Sequence, residues 1–162
     1  MPVPSEIAGA AIAFRQNAEM IEKSFKDLST EEWTKRPNDS SNSLLWVIAH
    51  VVWARSRTLA FLGIEWSRPW LDQFGRGSKA GDTAGHPTPE EVVLAWQNVG
   101  ERLTSELETA SQETLSAPAP PRMPTYDGKI SGLVNFLAWH ETYHVGQAAY
   151  LRCWLGHEGV AG

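Results

Sequence analysis

The chain has 162 residues, 42% of them apolar, and carries 14 Lys and Arg against 19 Asp and Glu, for a net charge of −5. That length and apolar content fit one folded domain, residues 1–162, and argue against disorder. The acidic balance leaves no basic stripe for phosphates, so no nucleic-acid partner is expected, and the single Cys excludes a disulfide scaffold.

The N-terminal stretch lacks a basic segment, and Glu6 and Arg15 break its apolar run, so it does not read as a signal peptide. No window approaches the roughly 18 apolar residues of a membrane span, so no membrane partner is expected and the expected location is cytoplasmic. Without secretion, the glycosylation sequon at Asn38-Asp39-Ser40 carries no meaning.

Apolar residues from Ile7 to Leu28 recur at steps of three and four, predicting a first helix from about Ser5 to Leu28 with Ser5 as its cap. Ser29 to Trp33 reads as a turn into a short helical piece, and Pro37 to Ser40 forces a loop. A second helix is predicted from Ser43, its cap, to Gly63. Leu45, Ile48, Val52, Leu59 and Leu62 lie on one side of it, and Trp46, His50, Trp53 and Arg57 form another stripe. A helix apolar on two sides is buried on two sides.

Residues 63–89 are rich in Gly and Pro, yet Trp66, Trp70, Leu71 and Phe74 give them something to bury. So long a connection suggests a crossover or a covering loop. The third helix is predicted to start at Thr88-Pro89-Glu90-Glu91, where cap, proline and acidic first turn agree. The prolines between Ser111 and Gly128 predict an extended surface linker. The fourth helix is predicted from about Ile130 to Leu155, stopped by Gly156. No strand alternation is long enough for a sheet. The fold expected is all-α, a four-helix bundle with a long connection between helices 2 and 3.

His140 and His144 fall on the core-facing stripe of the fourth helix. Four residues turn a helix through about 400°, so the two rings sit about 40° apart and can reach one metal ion. The alternative is two separate polar contacts, although burying two unpartnered imidazoles costs roughly 2 kcal/mol or more each. His50, mid-helix in an apolar stretch, is the candidate third ligand or else a satisfied core residue. His86, in a Gly/Pro loop, and His157, after Gly156, read as surface residues. Three imidazoles would leave an open position on a zinc-like ion, as in catalytic sites, and they also suit Ni, Fe or Cu.

Residues 140–144 also match H-E-x-x-H, the zincin protease pattern in which Glu141 would be the general base. The surrounding context is poor. The glycine of the longer metzincin pattern comes one residue early, at Gly146, and no sheet edge is predicted to hold a peptide.

The longer run, His140-Glu141-Thr142-Tyr143-His144-Val145-Gly146-Gln147 followed by Leu151-Arg152 and Leu155-Gly156, resembles the last helix of the DinB-like superfamily. The stretch from Leu44 to Trp53, with His50 after an apolar run, is similar to that family's other motif. The resemblance spans essentially the whole chain. Val145 stands where the family often has Arg, a departure that puts a role for a charge there in doubt but leaves the metal site untouched. The resemblance implies a four-helix bundle holding a divalent metal, Zn, Ni or similar, through His50, His140 and His144, and a homodimer. It also implies a small-molecule substrate, with either thiol-dependent transfer, using a low-molecular-weight thiol, or metal-dependent hydrolysis. A metal-binding protein without catalysis is the alternative.

Around these residues, Trp46 and Trp53 flank His50 on its stripe, with Arg57 a turn further on. They are either core packing or the wall of a substrate pocket. Gln147 is placed to hold a ligand histidine or a bound water, or else bonds a neighbouring helix. Glu141 is either a base or an exposed charge. Gly146 is expected to allow close helix approach, and Cys153 to be a small core residue.

Overall fold

The structure is a computed structural model that describes residues 2–78 and 85–161. Four long helices form a bundle: α1 (Ala8–Phe25), α3 (Leu44–Phe61), α4 (Pro89–Thr109) and α6 (Ile130–Trp154). Two short helices, α2 (Thr30–Thr34) and α5 (Gln112–Ser116), lie in the connections. Among the described residues there is no strand, only an isolated bridge between Pro118 and Lys129. No described helix is long and apolar enough to cross a membrane.

The element ends follow local chemistry. Ser43 caps α3 by accepting from the Trp46 amide. Thr88 and Glu91 close a capping box on α4, and Ser29 and Glu32 close one on α2. Gly156, at φ +94°, terminates α6 in the left-handed region that favours glycine. Ser5 is not a helix cap. It opens a 3₁₀ turn, Ser5–Ile7, and its hydroxyl turns to Glu6 instead. α1 stops at Phe25, short of Leu28, because Lys26 is extended and Asp27 sits at φ +60°. The expected linker after Ser111 begins with α5, which Ser111 caps.

The helices pack in a ring: α1 on α6, α6 on α3, α3 on α4, and α4 back on α1. Arg55 meets Glu141 and His50 meets His144, so α3 and α6 run antiparallel. α1 and α6 run parallel, since Glu6 bonds to Asn135 and Lys26 to Arg152. Fourteen of the 18 residues of α3 are buried, which is the two-sided burial its sequence predicts. The connection from α3 to α4 folds over this bundle. Its 3₁₀ turn, Leu71–Phe74, packs on α3 and buries Trp70, Leu71 and Phe74. Part of this connection, residues 79–84, lies outside the described residues.

A candidate metal centre between two helices

α3 supplies His50 and α6 supplies His140 and His144. Because the helices run antiparallel at this level, the three rings converge, with candidate ligand nitrogens all within 4.8 Å of one another. His50 and His144 are buried and His140 half-buried. The centroid of the His50 ring lies 4.6 Å from that of His144 and 5.4 Å from that of His140.

For two of the rings, outer partners decide which nitrogen is presented. His50 Nδ1 lies 2.6 Å from the carbonyl oxygen of Phe74. A carbonyl only accepts, so Nδ1 carries the proton and Nε2 is left with a lone pair. His144 Nδ1 donates in the same way to Gln147 Oε1 at 2.7 Å. Gln147 Nε2 in turn donates to the Tyr143 hydroxyl at 3.3 Å. His140 Nε2 lies 3.1 Å from His144 Nε2, and its buried Nδ1 has no hydrogen-bond partner.

This donor set fits a divalent ion. Tetrahedral coordination with Zn–N of 2.0–2.1 Å places two ligand nitrogens about 3.3 Å apart, close to the His140–His144 separation. The site also keeps the rings neutral, as ligation requires. Burial lowers the pKa of all three. His144 falls to about 4 through burial and then the neighbouring His50. His140 is lowered by burial and then by the neighbouring His50 and Arg76. Burial lowers His50 against the opposing pull of the Phe74 carbonyl.

The tryptophans sit where the stripe places them. Trp46 stacks on His50 at 4.9 Å between centroids with the planes 8° apart, and Trp53 stacks at 5.4 Å and 22°. Trp46 Nε1 is buried without a partner. Arg57 is on the same stripe but two turns beyond His50, roughly 10 Å along the axis. There it is exposed and lies over Phe61, away from the imidazoles.

Glu141 is not an exposed charge. It is 1% exposed, and both carboxylate oxygens accept from Arg55 at 2.8 Å. A carboxylate so committed has no free oxygen to act as the zincin base. Arg55 also donates to the Phe14 carbonyl and lies 3.9 Å from the Trp96 ring centroid. Gly146 is exposed, and a Cβ there would meet nothing within 4 Å, so it does not serve close packing within the chain. Cys153 is exposed rather than in the core, because it faces outward on the last turn of α6. His157 is half-buried and bonds Glu32 Oε1 at 2.8 Å. His86 is half-buried against the Phe74 ring.

Three partners of the site had no place in the sequence reading. Arg55 was legible as a charge in an apolar helix. Arg76 follows the turn that reaches His50. The Phe74 carbonyl has no sequence signal, since every residue carries one and only the path of the chain selects it. A cleft of about 550 Å³ opens next to the site, bordered by Val47, Tyr143, Gly146, Gln147 and Tyr150 among others. Trp46, Trp53 and Arg57 do not line it.

The family model for the DinB superfamily matches residues 13–148 of this chain. No curated protein matches it.

Proposed function

The chain belongs to the DinB superfamily, and from this and its converging imidazoles we propose that it is a metal-dependent enzyme acting on a small molecule. One observation carries the reading. His50 and His144 each give their Nδ1 proton to an outer acceptor, which leaves Nε2 unprotonated in a three-histidine cluster whose candidate ligand atoms lie within 4.8 Å of one another.

His50, His140 and His144 would hold the ion. Three neutral imidazoles leave it at least one position for water or a substrate thiolate, whose pKa it would lower. Zn, Ni, Cu and Fe all suit imidazole. Gln147 is a positioning residue that fixes His144. Trp46 and Trp53 confine His50 between two apolar faces. Arg76 adds a positive charge near His140 that suits an anionic substrate group. The reactions that fit are transfer to a low-molecular-weight thiol and hydrolysis of a small molecule.

Metal analysis of the purified protein beside His50→Ala tests the site. About one equivalent is expected in the wild type and a small fraction of that in the variant. Equal, background-level metal in both overturns the reading. A panel of thiols with electrophilic acceptors, run beside ester and amide substrates on metal-loaded protein, separates transferase from hydrolase. Turnover of neither class would point to a metal-binding protein without catalysis.

A further inference from the structure

Arg55 is 3% exposed, and the N–H groups of its guanidinium are unevenly used. Nε and Nη2 each donate to Glu141 at 2.8 Å, and Nη2 also donates to the Phe14 carbonyl at 3.1 Å. Among the described residues nothing accepts from Nη1, so its two N–H groups are left over. Gly100 of α4 stands against this nitrogen. A Cβ there would come within 2.9 Å of Nη1, and the glycine keeps that approach open.

The open side is a pocket of about 200 Å³ between α1 and α4, with the buried Arg55 at its floor. Phe14, Ala18, Trp96 and Leu103 give it apolar wall. Arg15, Glu22 and Glu101 are exposed and stand at its edge. None of the three histidines lines it.

We propose that this pocket binds a small neutral amide, with the carbonyl oxygen on Arg55 Nη1 and the amide N–H groups towards the carboxylates at the edge. The floor asks for an acceptor, because a buried N–H without one is costly. A carbonyl oxygen has two lone pairs and can serve both N–H groups. Charge selects a neutral ligand. The charge of Arg55 is already met by Glu141, and the edge sets one cation against two anions, so a carboxylate finds no uncompensated positive charge. An ammonium group would face the guanidinium. The walls ask for bulk. One water can serve Nη1, but a water fills only about 30 Å³ in the liquid, so the pocket has room for several. The side chains of Phe14, Ala18 and Leu103 offer the others no partner, and the Thr104 hydroxyl is committed to the Gly100 carbonyl. The apolar body of an amide covers such walls.

Titration with benzamide, followed through the side-chain Nε–H resonance of Arg55 by heteronuclear NMR, tests the proposal. Benzoate serves as the anion of the same shape. The wild type is expected to respond to benzamide with a Kd of about 1 mM, as befits a fragment of this size. It is expected to bind benzoate about tenfold more weakly, since the carboxylate meets a net-acidic edge. Gly100→Ala, shown to be folded by its helical circular dichroism, is expected to weaken benzamide binding about tenfold or more by crowding Nη1. Glu22→Gln with Glu101→Gln probes the pocket from its exposed edge, where the fold is not at stake, and is expected to abolish the preference for benzamide over benzoate. An Arg55 resonance that benzamide does not move, a folded Gly100→Ala that binds benzamide as the wild type does, benzoate bound by the wild type as tightly as benzamide, or an unchanged preference in the double variant would each overturn the proposal.

Discussion

Arg55 and Glu141 form a bidentate ion pair inside the bundle, each at most 3% exposed, five residues after His50 and one after His140. The pair ties α3 to α6 beside the ligands of both. Removing one partner leaves an uncompensated buried charge, which costs about 3–5 kcal/mol. Glu141→Leu is therefore expected to lower the urea midpoint sharply. Adding Arg55→Met to it is expected to recover much of the loss, because no charge then remains unpaired. An unchanged midpoint for the single variant would show that the pair contributes little.

In metal-free protein the histidines make stability depend on pH. An unfolded histidine titrates near 6.5, whereas folded His144 titrates near 4. Above pH 6.5 both states are neutral and the stability is complete. As pH falls towards 4, only the unfolded chain gains the proton, and stability is lost by on the order of 3 kcal/mol from His144 alone. His50 and His140 shift in the same direction. Urea titrations at several pH values between 4 and 8 check this. The fall should shrink in His144→Gln.

Gln147 holds His144 by its ring proton. Gln147→Leu is expected to weaken metal binding about 10–100-fold, the usual effect of losing such an outer partner. Gln147→Glu, which keeps an acceptor, should retain most of the affinity. Competition against a chelator of known affinity measures both. Equal affinities for Leu and wild type would remove Gln147 from the site.

Gly132, in the first turn of α6, faces the loop that leads into it. A Cβ there would collide with the side chains of Asp127 and Thr125. Asp127 accepts from the Lys129 amide and the Ser131 hydroxyl and so anchors the start of the helix. Gly132→Ala is expected to cost about 1–3 kcal/mol by overpacking, despite alanine's better helix propensity. Thermal melts settle the sign.

The four long helices were legible because their apolar steps extend over 18 to 25 residues and their caps are local. The convergence of His140 and His144 was legible for the same reason, since both lie on one helix. Arg57 misled because helical phase fixes a direction around the axis but not where along it the neighbouring helix lies. Glu141 misled because its partner is 86 residues away. α5 has only five residues, too few for a period to show.

The acceptor that orients His50 is a main-chain atom. No replacement at position 74 can delete it, and a change there acts only by displacing the backbone. His144, oriented by a side chain, can lose its acceptor through a single codon change. The two imidazoles thus differ in how they can be altered over time: one histidine answers to the path of the chain, and the other to the identity of one residue.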